Sequence, residues 1–303
     1  MNILIICNPN SGRGNSFSFA KKLKKRIEKV SSYSAEIYLS KSVEKMREFF
    51  AEIKKERPNF YNSILILGGD GTFSLAVDAL LKIGLNVPVA IFPLGTVNDF
   101  AKQTHMAKSV KKCVSTILAQ KTKKCDVAFV NGDYVVNVAC GGYFTHGVNT
   151  YSRVAKKMFG KLAYFGKAAF NVFNMRAQKM RYTIDGETFE AETIMYLVMN
   201  SASAGGFKHI GARAKIDDGL FDLCVIKKAR IGRLARTAIK ILGGRHIPDK
   251  CIEYRQGKNF KIELVGEKPN PNFLKSDFDG NVGEKLPLEI KVDNKKLEIY
   301  YGD

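Results

Sequence analysis

The stretch Ser63-Ile64-Leu65-Ile66-Leu67-Gly68-Gly69-Asp70-Gly71-Thr72 decides how this chain folds. Ser63–Leu67 carries consecutive aliphatic residues of the kind that form a buried strand. Apolar residues return at helical spacing over Phe73–Ile83. A strand, a glycine turn and a helix make half of a β-α-β unit, and the same alternation runs outward on both sides. Upstream, Asn2–Cys7 and Glu36–Leu39 read as strands, and Val43–Ile53 as a helix with Met46, Phe49 and Phe50 inward. Between those strands Phe19, Leu23, Ile27 and Val30 recur at helical spacing, ringed by Lys21, Lys22, Lys24, Lys25, Arg26 and Lys29. Downstream, Val87–Phe92 reads as a strand and Val110–Leu118 as a helix. Residues 1–125 are therefore expected to form a doubly wound α/β domain, whose ligands bind beyond the carboxyl ends of the strands.

From Asp126 the rhythm changes. Asn131-Gly132, Asp185-Gly186 and Gln256-Gly257 each separate residues of β-forming type. Asn-Gly and Asp-Gly pairs readily take the positive φ angles of hairpin turns. Residues 126–303 are expected to be a mainly antiparallel β domain interrupted by two helices, Ser152–Met175 and Gly232–Leu242. The second helix has Leu234, Ala238 and Ile241 on one side. The first carries an apolar stripe among lysines, which suits either an acidic lipid interface or packing on the β domain.

Three glycine-bearing loops follow three of the parallel strands, so all of them face one edge of the first domain. Asn8-Pro9-Asn10-Ser11-Gly12-Arg13-Gly14 lets backbone N–H groups approach an anion ahead of a helix N-terminus. Gly68-Gly69-Asp70-Gly71-Thr72 places one carboxylate, suited to organising Mg²⁺, among glycines that allow close phosphate approach. In Pro93-Leu94-Gly95-Thr96-Val97-Asn98-Asp99-Phe100, Thr96 can donate to a phosphate oxygen. Any one such loop is often only a tight turn; three on one edge point to a nucleotide. The Walker, dinucleotide, zincin and nucleophile-elbow patterns are all absent from the sequence.

Taken in order, these motifs resemble the diacylglycerol kinase catalytic domain shared by soluble bacterial diacylglycerol kinases and by sphingosine and ceramide kinases. The resemblance continues through Gly205-Gly206-Phe207, Lys215-Ile216-Asp217-Asp218-Gly219-Leu220-Phe221, Asp279-Gly280 and Lys285-Leu286-Pro287. It implies a two-domain lipid kinase fold with the nucleotide in the cleft. By resemblance, Asn10, Ser11, Gly12, Arg13, Gly14, Ser40, Gly68, Gly69, Asp70, Gly71, Thr72 and Thr96 contact ATP. Asp70 and Asp126 help hold the catalytic Mg²⁺ through water. A structural cation corresponds to the Lys215 carbonyl, the Asp218 carboxylate and the Leu220 carbonyl. Two positions depart from the family pattern. Phe73-Ser74-Leu75 follow the Gly-Gly-Asp-Gly-Thr motif, where the family continues with Asn and then an acidic or polar residue. Asn281 stands where the family has the Glu or Asp that takes the proton from the lipid hydroxyl, and an amide has no basic site for it. Asp279 and Asp70 are then the leading candidates for that base, with a shifted turn presenting Asp277, Asp279 or Glu284 as the alternative.

The 49 Lys+Arg residues against 29 Asp+Glu leave a formal charge of +20, which favours polyanionic partners. With a lipid kinase in view, the expected partner is a lipid substrate at an acidic membrane surface; no nucleic acid is expected, and a homodimer is left open. Six scattered cysteines without zinc spacing read as buried thiols. No signal peptide or membrane span is evident, so the expected location is cytoplasmic, peripheral at the inner membrane surface. The leading function is phosphoryl transfer from ATP to a lipid hydroxyl, with diacylglycerol as the expected acceptor and phosphatidic acid as the product. A weak nucleotide-binding pseudokinase or sensor, and a kinase of a soluble acceptor such as NAD, are the competing readings.

Overall fold

The computed structural model describes residues 1–9, 14–143, 176–266 and 270–302. The segment Ser152–Met175, expected to be helical, and the loop residues Asn10, Ser11, Gly12 and Arg13 lie outside the described residues.

Strands β1 (Asn2–Cys7), β2 (Ser34–Leu39), β3 (Ser63–Gly68) and β4 (Val89–Pro93) lie parallel in the order β2-β1-β3-β4. Their in-register ends bring Cys7 beside Leu39 and Leu67, and Leu67 beside Phe92. Helices α1 (Ser16–Ile27), α2 (Val43–Glu56) and α3 (Asp70–Lys82) cover the sheet. They bury Ala20, Leu23 and Ile27, then Met46, Phe50 and Ile53, at the three- and four-residue intervals of one helix face. Val30, expected on the first helix, lies past its end and is exposed. A short helix α4 (Asp99–Gln103) precedes α5 (Val110–Leu118).

The second domain is built from antiparallel pairs. Asn131 and Gly132, at φ 48° and 105°, turn β5 (Thr122–Val130) into β6 (Asp133–Val135). Asp185 and Gly186, at φ 47° and 94°, turn β8 (Gln178–Ile184) into β9 (Glu187–Met199). The third expected hairpin is absent. β11 (Ile252–Gly257) pairs with β10 (Phe221–Lys227), whereas β12 (Asn259–Leu264) pairs with β8 and with β15 (Leu288–Tyr300). Gly257 has no positive φ; it is small because the Ile184 side chain packs where its Cβ would be.

β9 shows why this sheet is apolar on both faces. Tyr196 and Val198 enter one buried cluster, with Phe221, Leu223 and Val225 of β10. Leu197 and Met199 enter another, with Val138 and Cys140 of β7 (Val138–Gly142), Cys224 and Ile241 from helix α6 (Ile231–Leu242).

The last strand joins the two halves. β15 pairs with β12 at its start, runs along β5, and meets β4 in parallel at Ile299 opposite Val89. Leu297, Ile299 and Tyr300 thereby belong to the hydrophobic core of the first domain, so the sequence break near residue 125 divides the rhythm but not the core. All six cysteines are buried and unpaired. Among the described residues no helix is long and apolar enough to cross a membrane.

Candidate active site

The loops after β1, β3 and β4 meet at one edge. Ser16 Oγ donates to the Asn8 carbonyl at 2.6 Å and closes the first loop at its base, and the Ser40 N–H donates to the Cys7 carbonyl at 3.0 Å beside it. The second loop is shorter than its sequence suggests, because Asp70, Gly71 and Thr72 form the first turn of α3 behind an extended Gly69 cap. Gly and polar residues hide a helix start from an apolar-spacing reading. As N-terminal positions of a helix their N–H groups lack intrahelical acceptors, which suits this edge to an anion. A Cβ on Gly95 would lie 2.6 Å from the Gly69 Cα, so the second and third loops touch backbone to backbone. Thr96 is exposed on the third loop, and Gly14 has φ 83° at the end of the first.

Asp70 Oδ1 accepts the Phe100 N–H at 3.0 Å. Burial pushes its carboxyl above the usual range, with the Asp99 charge acting the same way and the Phe100 N–H pulling it back. Asp99, within a quoted motif but not singled out in it, proves to be a clasp between the domains. Its carboxylate accepts Ser203 Oγ at 2.6 Å and the Gly206 N–H at 2.8 Å. Next to it Asn98, at φ 52°, donates Nδ2 to the Gly95 carbonyl at 2.7 Å, and its buried Oδ1 has no partner among the described residues. That orphan acceptor beside the Gly69/Gly95 contact marks where a donor is wanted.

The facing wall is the turn between β13 (Asp277–Phe278) and β14 (Asn281–Val282). Asp279 was a candidate base, and its surroundings speak against that role. Its carboxylate is 5% exposed and accepts four donors: Ser74 Oγ at 2.6 Å and the N–H groups of Val136, Asn137 and Val138 at 2.8, 3.0 and 2.7 Å. Burial pushes its pKa up while the Ser74 hydroxyl and the backbone donors hold it back. Ser74, one of the departures from the family pattern, is thus what anchors α3 to the second domain. Replacing Asp279 by Ala strands these buried donors at about 1–3 kcal/mol each, not additively. We expect a loss of about 3 kcal/mol or more in urea unfolding, with Asp279→Asn intermediate; an unchanged midpoint in Asp279→Ala would show that the carboxylate holds nothing.

Asn281 turns toward the start of α3, with Nδ2 donating to the Gly71 carbonyl at 3.2 Å. Asp126 stands elsewhere. Its oxygens accept the N–H groups of Gly219 and Lys295, both at 2.6 Å, where β15 bulges. Burial raises its pKa, opposed by those two N–H groups, and the charges of Asp218 and Asp217 raise it further. The geometry therefore groups Asp126 with the Lys215–Leu220 turn rather than with Asp70. In that turn Asp218 Oδ1 accepts the Leu220 N–H at 3.1 Å, while Asp217 pairs with Lys123 at 3.0 Å. No group of three His, Cys, Asp or Glu side chains among the described residues could hold a metal. A cation at Asp70 would draw its remaining ligands from phosphate and water, which is the usual habit of Mg²⁺.

Two sequence families match the chain. The diacylglycerol kinase catalytic domain covers residues 2–130, and the YegS C-terminal NAD kinase beta sandwich-like domain covers residues 132–301. The chain is 30% identical over 287 residues to a diacylglycerol kinase of Bacillus subtilis (strain 168), covering 94% of this chain and 91% of that protein. It is 26% identical over 296 residues to a diacylglycerol kinase of Staphylococcus carnosus (strain TM300), covering 98% and 94%. A crystal structure of a diacylglycerol kinase from Bacillus anthracis str. Sterne superposes with a TM-score of 0.77 at 23% identity, over 99% of this chain and 97% of that one. Another chain from the same organism gives a TM-score of 0.81 at 24% identity, over 99% and 95%. At those identities the solved structures show the fold alone.

Proposed function

This chain belongs to the diacylglycerol kinase family and is a lipid kinase of that type, and from that premise we propose that it moves the γ-phosphoryl group of ATP, with Mg²⁺, onto the free hydroxyl of diacylglycerol to give phosphatidic acid. The observation that carries the proposal is the α3 N-terminus, with free N–H groups and the Asp70 carboxylate in its first turn, facing the Asn281 turn across the cleft. The N–H groups of Gly71 and Thr72 bind phosphate oxygens, and Thr96 adds a hydroxyl. Ser40, Gly14 and the loop residues Asn10 to Arg13 complete the nucleotide contacts. Asp70 holds Mg²⁺, which when bound neutralises charge on the β- and γ-phosphate oxygens. Asp126, on β5 and bonded to the Gly219 N–H, would contribute through water, and the neighbouring Lys215 and Leu220 carbonyls with the Asp218 carboxylate would hold a second, structural cation. The Asp99 clasp and the Asp279 anchor keep the two walls of the cleft in register, which matters because positioning supplies most of the catalysis in phosphoryl transfer.

Labelled ATP offered with a total lipid extract, with purified diacylglycerol and with NAD, each with Mg²⁺ and with EDTA, tests the proposal. Label should appear in phosphatidic acid only when Mg²⁺ is present. Label in NADP alone would replace the lipid acceptor by a soluble one, and nucleotide binding without any labelled product would identify a sensor.

A further inference from the structure

Helix α6 (Ile231–Leu242) is anchored lightly. Only Thr237 and Ile241 are buried, while Ile239, Leu242 and Ile231 are 70%, 57% and 41% exposed. Ile231, Ala235 and Ile239 stand four residues apart, and Ala238 and Leu242 extend the same strip along the solvent side. Of Leu234, Ala238 and Ile241, expected on one side, Ile241 is buried, Leu234 half-buried and Ala238 exposed, and Thr237 shares the buried face.

The strip has a one-signed border. From Lys227 to Pro248 the chain carries seven Lys and Arg residues and no acid. Lys227, Lys228 and Lys240 pair with Glu253, Glu192 and Asp249. Arg230, Arg233, Arg236 and Arg245 have no carboxylate partner among the described residues.

We propose that α6 is the element that docks this protein on an acidic lipid surface, with Ile231, Ile239 and Leu242 entering the acyl boundary and Arg233 and Arg236 meeting the headgroup phosphates. An aliphatic strip flanked by cations is the arrangement of a helix lying in a membrane interface. A second copy of the chain is a poor occupant, because a two-fold contact would set these arginines against each other with no acid on either side. A nucleic acid is a poor one too, since the strip offers no aromatic face for a base. The helix also stands next to the cleft. Gly244, just beyond its end, lies so close to His209 that a Cβ there would be 3.0 Å from the His209 Cβ. His209 belongs to the same loop that supplies Ser203 and Gly206 to Asp99. Docking through α6 therefore sets the lipid surface beside the loop that is clasped by Asp99, and in this it rests on the lipid-kinase reading.

The full chain is compared with Ile239→Ser/Leu242→Ser and with Arg233→Ala/Arg236→Ala. Sedimentation uses phosphatidylcholine vesicles with and without phosphatidylglycerol, and turnover uses short-chain diacylglycerol dispersed in detergent. The wild type should bind the acidic vesicles, and each double variant should lose about tenfold or more of that binding while keeping its melting temperature and its turnover in detergent. Variants that bind acidic vesicles as the wild type does would overturn the proposal. So would a wild-type dimer that the variants convert to monomers. If vesicle binding falls as expected but no form phosphorylates any lipid, the docking assignment stands and the substrate assignment fails.

Discussion

Asp70→Ala should lower phosphoryl transfer by about 10³-fold or more, to below detection in a single-turnover assay with labelled ATP. Asp70 is the carboxylate in the first turn of α3, beside N–H groups that have no helical acceptor. On the proposed mechanism, removing it takes away the carboxylate that holds the cation where γ-phosphate charge must be neutralised. The fold should survive. The carboxylate accepts the Phe100 N–H, with the Asp99 N–H and its own N–H as lesser backbone donors, and an acid in the first helical turn is worth about 0.3–1 kcal/mol. Asp70→Asn separates the two roles, because its amide oxygen can still accept from Phe100 while its charge is gone. It should be as inactive as Asp70→Ala but melt like the wild type. Retained activity in either variant would remove Asp70 from the chemistry.

Asn281→Glu should raise kcat on the lipid acceptor by about 10²-fold or more, within the range of 10²–10⁴ that a positioned general base supplies. Asn281 already points across the cleft at Gly71, so a carboxylate introduced there starts from the right place. Asp279 does not fill the vacancy, since four donors occupy its two oxygens. Of the two leading candidates Asp70 then remains in the wild type, and a carboxylate committed to a cation, as proposed for it, is a weak base. ATP affinity should change little, because a base assists transfer rather than docking. The comparison is of kcat and nucleotide Kd for the two proteins on the same dispersed diacylglycerol. Equal kcat values would mean that proton removal does not limit turnover.

How much of this was legible before the structure depends on the range of the interaction. The parallel strands were legible because Ile3–Cys7 and Ile64–Leu67 are buried on both faces and must be apolar throughout. The hairpins at Asn131 and Asp185 were legible because positive φ is written into the residue type. Gln256-Gly257 misled for the complementary reason: its glycine answers a neighbouring side chain, Ile184, which no local reading can see. The three glycine loops gave the edge of the site, and family resemblance drew attention to the turn that carries Asn281. The clasp of Asp99 on Ser203 and the anchor of Ser74 on Asp279 each join residues more than a hundred positions apart. Only the assembled fold brings such pairs together. The same holds for α6, whose apolar spacing says that it is amphipathic but not which part of that face the core leaves uncovered.

The return of β15 to the edge of β4 fixes an order of events during synthesis. When Val130 leaves the ribosome the first domain has all its helices, yet β4 still presents an unpaired edge, and the places of Leu297, Ile299 and Tyr300 in its core are unfilled. The closing strand arrives roughly 170 residues later, which at the usual pace of translation is about 10–35 seconds. For that interval the nascent chain carries an open strand edge and a gap in its interior, the features that recruit chaperones or wrong partners. The first domain is thus sewn shut by β15, and loss of Leu297–Tyr300 would undo the domain made first.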